Sequence, residues 1–292
     1  MKPAPFEYYD PDTVDEVLTL LAEYGDDARL LAGGQSLIPL LNFRLARPAI
    51  VIGLHRVRAL DYLESGEGMV SIGAMTRQAT LEKSRLVGDH VPLLLEAIRF
   101  VGHPQIRNRG TVGGSAAHGD PAGELPTAFC ALDAGFHLRS TSGARTVGAQ
   151  EFFVGHYATA IASDEMLVQI DVPVDRLSTG NAFEEFARRQ GDYALGGAAA
   201  VITVDRVGVC RRASVALLGG GSIPVRAVEA ASLLIGTKIE REAAREAAAV
   251  AVADVAPLGD SQGDSDYRRV VVGAMCRRAI LRAARQAVEV DT

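Results

Sequence analysis

Apolar positions set the first elements of the chain. Over residues 13–24, Val14, Val17, Leu18 and Leu21 recur at helical spacing and share one face. Asp12 stands where a capping side chain would, and Gly25 follows where such a helix would end. Residues 29–32 read as a short strand, 37–42 as a helical turn, and 49–54 as a buried strand, together a small βα-type unit. A strand over 69–73, helices over 76–83 and 92–101, and strand candidates over 135–139, 145–147 and 166–172 come next. Residues 173–180 contain Pro, Asp, Ser, Thr and Gly and predict a linker. Beyond it, strands are expected over 183–188 and 198–204. Val209, Ala213, Val215 and Leu217 alternate inward on an antiparallel strand over 209–218. Two helices fill 225–255 and a last one runs from 265 to about 288, so strands followed by helices predict an α+β C-terminal part.

Two glycine-rich segments interrupt this pattern. Leu31-Ala32-Gly33-Gly34-Gln35-Ser36-Leu37 and Thr111-Val112-Gly113-Gly114-Ser115 are each flanked by apolar residues, and each puts a hydroxyl directly after tandem glycines. Glycine has no Cβ, so it adopts positive φ and lets a ligand approach the backbone. Successive N–H groups in such a turn form a concave anion nest. One glycine pair alone reads as an ordinary turn. Two matched pairs suit the two phosphates of a dinucleotide, gripped from opposite sides. Ser36 and Ser115 would donate to phosphate oxygens, and either is also placed to cap a helix that favours an anion. Ile38 stands where a nucleophile elbow needs glycine, which removes Ser36 as a serine nucleophile. No Gly-x-Gly-x-x-Gly opens a helix after a strand, so a Rossmann fold is not expected.

On these residues, with Asp120-Pro121 and Glu124 after the second segment, the chain resembles the FAD-binding medium subunits of molybdenum-containing hydroxylases, the carbon monoxide dehydrogenase and xanthine dehydrogenase group. In that family the first segment reads Ala-Gly-Gly-(His/Gln)-Ser-Leu and the second Thr-(Ile/Val)-Gly-Gly-(Asn/Ser). Both match without a gap, and the resemblance runs from Phe6-Glu7-Tyr8 to the last helix. It implies an α+β chain: two α/β subdomains over 1–55 and 56–176 forming a PCMH-type FAD-binding domain, then a smaller α+β domain over 177–292. The flavin would lie in the crevice between the subdomains. The implied FAD contacts are Arg29, Leu31, Ala32, Gly33, Gly34, Gln35, Ser36 and Leu37 from the first segment, Thr111, Val112, Gly113, Gly114, Ser115 and Ala117 from the second, and Asp120, Glu124, Leu167 and Tyr193.

Some of these positions keep alternatives. Asp120 and Glu124 would accept from ribityl or ribose hydroxyls, and an acidic residue matching Glu124 approaches the nucleotide in the family; solvation with capping is the other reading. His118 is open between facing the flavin and a structural role. Arg188-Arg189-Gln190-Gly191-Asp192-Tyr193-Ala194 resembles the family's Lys/Arg-x-x-x-Asp-(Tyr/Phe) stretch, whose aromatic lies near the isoalloxazine. A lone tyrosine beside a strand otherwise reads as half-buried packing. Arg107 and Arg109 would balance phosphate charge, lie on the surface or meet a partner.

Composition narrows the rest. With 30 basic and 36 acidic side chains the net charge is −6, which argues against a general nucleic-acid role. No apolar stretch is long enough to span a bilayer, and residues 1–6 lack the apolar run of a secretion signal. The three cysteines, Cys130, Cys210 and Cys276, are widely spaced and read as buried small hydrophobes. No His-x-x-x-His pair exists, so any metal or cluster is expected on another chain. Arg268, Arg269, Arg277, Arg278, Arg282 and Arg285 predict a solvated face on the last helix, and Gly219-Gly220-Gly221 a turn.

The resemblance then implies no catalytic acid, base or nucleophile here. A large molybdopterin subunit would oxidise the substrate, and a small subunit with [2Fe-2S] clusters would pass single electrons to FAD on this chain. A cytoplasmic dimer of heterotrimers, associating at most with the inner membrane face, is the implied assembly. The alternatives are a stand-alone flavin oxidoreductase on the same fold, which would carry a substrate domain not visible here, and a scaffold that has lost its flavin, which the intact glycines oppose.

Overall fold

The computed structural model describes residues 2–174, 178–253 and 255–289. The N-terminal part is a three-stranded parallel sheet, with Ile50–Gly53 between Glu7–Tyr9 and Ala28–Leu31. The sequence pattern misses Glu7–Tyr9, which is short and lies at the sheet edge. Helix Val14–Tyr24 buries Val17, Leu18 and Leu21. Its cap is Thr13, not Asp12. Thr13 Oγ1 accepts from the Glu16 N–H at 3.2 Å, and the Glu16 carboxylate accepts from the Thr13 N–H at 3.1 Å. A hydroxyl with glutamate three residues on satisfies both orphan donors reciprocally. Asp12 instead holds the Arg56 guanidinium at 2.6 and 2.9 Å.

The second part is a five-stranded antiparallel sheet in the order Leu63–Gly66, Met69–Gly73, Met166–Pro173, Gly135–Ser140, Gly143–Gly148. Strand Met166–Pro173 therefore closes the sheet at its centre after a long excursion. Val70, Ile72, Phe136, Leu138, Ile170 and Val172 point to one core, shared with helices Pro92–Ile98 and Glu124–Leu132. The opposite face is polar. Asp171 accepts from Ser71 Oγ at 2.7 Å and Gln169 Nε2 at 2.7 Å and pairs with His137 Nε2 at 2.6 Å.

The third part is an antiparallel sheet of Thr179–Phe186, Gly196–Val204, Cys210–Leu218 and Val225–Arg226. The expected boundary at residue 176 lies outside the described residues. Helices Val228–Leu234, Arg241–Ala251 and Ser265–Glu289 follow. The expected inward alternation on Cys210–Leu218 holds for Ala213, Val215 and Leu217, but the opposite face is buried as well, because the sheet is a middle layer. Val215 and Leu217 meet the C-terminal helices, while Ala216 and Leu218 join the core of the second part. The first strand begins at Thr179 and ends at Phe186 rather than spanning 183–188. At Gly180 a Cβ would collide with the last helix at the Ala283 carbonyl and the Ala287 N–H.

Two arginines of that helix leave the expected solvated face. Buried Arg268 donates to the carbonyls of Ala194 and Leu195 at 3.3 and 3.4 Å and pairs with Asp260 at 2.8 Å. Arg282 reaches Glu96 of the second part, the Phe183 carbonyl at 2.9 Å and Glu184 at 3.3 Å. Cys130, Cys210 and Cys276 are buried and free, with thiols pushed up by burial. Among the described residues no helix is long and apolar enough to cross a membrane.

Candidate functional site

Strand Ala28–Leu31 delivers the chain into the first glycine segment, and helix Leu37–Asn42 leaves it. Gly34 sits at φ +75°, a conformation that favours glycine over any residue with a Cβ. The turn is braced from within: Gln35 Nε2 donates to the Gly33 carbonyl at 3.0 Å and the Ile38 N–H to the Gly34 carbonyl at 3.2 Å. Ser36 occupies the helix N-cap position, yet its hydroxyl makes no capping bond.

The second segment is not a loop. Thr111 caps helix Val112–His118, its Oγ1 accepting from the Gly114 N–H at 3.1 Å, so Gly113 and Gly114 form the first helical turn. Ser115 lies inside that helix and caps nothing; its hydroxyl accepts from Gln78 Nε2 at 2.9 Å. Gln78, buried and unanticipated, also donates its N–H to the Gly110 carbonyl at 3.0 Å. Its apolar surroundings come from tertiary packing, which no local pattern announces.

The two segments meet edge to edge. A Cβ on Gly33 would run into the Arg109 carbonyl and the Gly110 Cα, and one on Gly114 would lie 3.6 Å from Ala32 Cβ. A Cβ on Gly113 would come within 2.6 Å of Ala74, whose carbonyl accepts the Gly113 N–H at 3.0 Å. Gly33 and Gly113 therefore make room first for the protein's own backbone. The Arg77 guanidinium donates to the Arg109 carbonyl at the same junction. Arg107 is withdrawn from any phosphate role: it is buried, bound to Glu82 at 2.9 and 3.1 Å and to the carbonyls of Val101 and Gly102. Arg109 is exposed.

Carboxylates and tyrosines lie beyond the second helix. Asp120 accepts from the Ala122 N–H at 2.9 Å and from the Tyr157 hydroxyl at 3.5 Å. Tyr157 packs on His118, ring centroids 4.8 Å apart, which gives His118 a structural contact, and burial lowers that imidazole's pKa. Glu124 opens helix Glu124–Leu132, where desolvation pushes it up to about 7, its own N–H opposing and Asp120 adding to the rise. Glu185, on strand Thr179–Phe186, is pushed up to about 8 by desolvation and then by Glu124. Its Oε2 has no hydrogen-bond partner among the described residues. The sequence held a signal for Glu185, since period two places it on the face of buried Phe183.

Tyr193 is 75% exposed, which excludes core packing as its role. Partial desolvation and the charges of Asp120 and Glu124 raise its phenol, which ties the C-terminal domain's tyrosine to the end of the second segment. Arg29 is exposed and donates to the carbonyls of Asp26 and Ala28, Leu31 and Leu37 flank the first turn, and Ala117 is exposed on the second helix. Leu167 sits apart from this surface, buried in the core of the second part. The next residue, Val168, offers its carbonyl to the Ala74 N–H at 3.0 Å, directly beneath Gly113.

The arrangement fits a dinucleotide. Two helices begin at the junction of the glycine segments, and helix N-termini favour anions. Two carboxyl groups, Asp120 and Glu124, and the exposed Tyr157 and Tyr193 lie near one another beyond the second segment.

Comparison with known proteins agrees along the whole chain. Residues 4–175 match the FAD binding domain in molybdopterin dehydrogenase, and residues 181–283 match the CO dehydrogenase flavoprotein C-terminal domain. The chain is 42% identical to the alpha subunit of the 6-hydroxypseudooxynicotine dehydrogenase complex of Paenarthrobacter nicotinovorans, covering 98% of this chain and 97% of that one. It is 39% identical to the carbon monoxide dehydrogenase medium chain of Afipia carboxidovorans, over 98% and 99% of the two chains. A solved carbon monoxide dehydrogenase from Hydrogenophaga pseudoflava superposes with a TM-score of 0.95 at 39% identity, over 97% of this chain and 98% of that one.

Proposed function

We propose, because this chain belongs to the family of FAD-binding medium subunits of the molybdenum hydroxylases, that its task within the complex is to hold FAD across the junction of the two glycine segments. Bound FAD supplies the conversion of single electrons from [2Fe-2S] clusters into transfer to an external acceptor. The chain's own residues bind and orient it. Backbone N–H groups of residues 33–36, with the free hydroxyl of Ser36, take the pyrophosphate, and the N-terminal end of helix Val112–His118, whose first N–H groups are bonded within the protein, adds its dipole. Glu124 and Asp120 accept from sugar-chain hydroxyls, and Tyr193 covers the isoalloxazine from the C-terminal domain. The observation that carries this reading is the backbone contact of Gly33 with Arg109 and Gly110, which makes one surface from two segments distant in sequence. Small iron–sulfur and large molybdopterin subunits complete the enzyme, and we extend the proposal to a cytoplasmic dimer of heterotrimers.

The test is the FAD content of the complex purified with its partner subunits. Gly33→Val places methyl groups where the Arg109 carbonyl lies. It is expected to yield complex that keeps its iron–sulfur and molybdenum cofactors and lacks FAD. A full complement of FAD in that variant overturns the assignment.

A further inference from the structure

Strand Thr179–Phe186 carries Glu185 on the same face of its sheet as buried Phe183. That face borders a cavity of about 440 Å³ between the second part and the C-terminal domain, lined by Glu96, Phe100, Phe183, Glu185, Arg189 and Arg282. Liquid water takes about 30 Å³ per molecule, so the cavity is roomy enough for a chain of waters, and Arg189 and Gln190 at its rim are exposed. Most charged groups around Glu185 are already engaged. Glu96 accepts from the Phe183 N–H at 2.8 Å and from Arg282, and Arg282 also pairs with Glu184 at 3.3 Å. These contacts fasten the two domains and leave Glu185 out. Arg99 and Arg189 line the same cavity, yet among the described residues neither pairs with Glu185, whose Oε2 has no hydrogen-bond partner. Asp171 is the contrasting case: against desolvation, hydrogen bonds from Ser71, Gln169 and His137 hold its pKa below the ordinary value. Glu185 lacks such donors, so desolvation and then Glu124 push it up to about 8, and it stays a neutral acid at neutral pH. Glu124 opens helix Glu124–Leu132, and its charge acts on Glu185 and on Tyr193 alike. It therefore lies between the cavity and the surface that Tyr193 is placed to cover.

We propose that Glu185 is the proton entry of the flavin site, taking protons from water in this cavity and passing them through Glu124 to bound FAD, a route that rests on the reading of the chain as an electron-transfer subunit. An iron–sulfur cluster delivers electrons and no hydrogen, whereas reduction of FAD by two electrons forms at least one N–H bond on its ring. The hydrogen therefore needs a source other than the electron donor. In each cycle the two electrons come from the clusters, the O–H bond of a carboxylic acid breaks as the N–H bond forms, and the carboxylate left behind takes up a proton from the cavity. A carboxyl that holds its proton at neutral pH and lies beside water suits that exchange. A permanently ionised one such as Asp171 has no proton to give.

The experiment uses the complex made by coexpression with its small and large subunits, mixed rapidly with dithionite while cluster and flavin absorbance are followed separately. In the parent, flavin reduction is expected to slow as pH rises through about 8, where Glu185 loses its proton. Glu185→Gln is expected to keep its FAD and its rate of cluster reduction, to reduce flavin about a hundredfold more slowly, as loss of a positioned proton donor does, and to show no break near that pH. Glu185→Asp, which restores a carboxyl, is expected to recover most of the rate. A second readout needs no turnover: in infrared spectra of the oxidised complex, the carbonyl stretch of a carboxylic acid should disappear as pH rises through about 8 in the parent and be missing from Glu185→Gln. Flavin reduction in Glu185→Gln with the parent's rate and pH profile, or an unaltered infrared titration, overturns the proton path and leaves the electron-transfer reading standing. Clusters reduced while the parent's flavin stays oxidised at every pH would instead remove the electron-transfer reading, and the proton path with it.

Discussion

Tyr193 and Ser36 carry the sharpest tests at the level of single residues, because neither supports the fold. Tyr193 is 75% exposed, so Tyr193→Ala is expected to leave the melting temperature and FAD content of the complex nearly unchanged while shifting the flavin absorption band and its reoxidation rate. An unshifted spectrum with unaltered reoxidation removes it from the site. The Ser36 hydroxyl caps nothing, so Ser36→Ala costs the protein no internal bond. Loss of one hydrogen bond to a charged oxygen, about 1.5 kcal/mol, predicts roughly tenfold weaker FAD binding by fluorescence titration; unchanged affinity excludes the contact. Spacing after tandem glycines singled out Ser36 in the sequence, whereas Tyr193 was singled out by the family resemblance alone. Gln78 was not legible, since its role is to fill the gap beside Gly110 and bind Ser115, contacts set only by tertiary packing.

Among the elements, helix Val112–His118 shows where local reading stopped short. Tandem glycines suggested a loop, and Thr111 made them a helical turn by supplying the cap. Thr111→Ala should therefore cost about 1 kcal/mol of stability and loosen FAD together with it, measured by urea unfolding and by titration. Stability lost with no change in FAD affinity would separate this helix from the site. The joint between helix Glu124–Leu132 and strand Thr179–Phe186 gives a pH signature. Glu185 titrates at about 8 in the fold against an ordinary 4.5. The folded chain keeps a proton that the unfolded chain releases, so this contribution to stability is complete below pH 4.5 and is lost as pH rises through about 8. Glu185→Gln removes the loss. The variant should match the parent near pH 5 and melt about 2–4 °C higher at pH 8.5, the shift produced by roughly 1 kcal/mol. A constant difference across that range refutes the assignment. The longer strands were legible as strands, while the short edge strands Glu7–Tyr9 and Leu63–Gly66 were not. That Cys210–Leu218 is covered on both faces was not, because its buried alanines look the same whether they face a helix or a second core.

At the scale of the whole molecule, the C-terminal domain is fastened to the flavin domain by Arg282, which joins Glu96, Glu184 and the Phe183 carbonyl while Glu96 accepts the Phe183 N–H at 2.8 Å. Arg282→Met leaves Glu96 without its cation, and we expect a loss of about 1–3 kcal/mol and a second step in the urea unfolding curve as the domains uncouple. A single unshifted transition would place the coupling elsewhere. The order of layers was readable as strands followed by helices, whereas the fastening was hidden, since Arg282 looks like its solvated neighbours in the sequence. Strand Met166–Pro173, which enters the middle of its sheet after the neighbours on both sides, also has a meaning for biosynthesis. While a ribosome is still short of that strand, the platform under Gly113 lacks its central member and the pocket does not exist. Translation at about 5–20 residues per second takes roughly eight to thirty-five seconds to reach that point. Cofactor loading is therefore a late event in the life of the nascent polypeptide, and a truncated product ending before this strand would compete neither for FAD nor for a place in the enzyme.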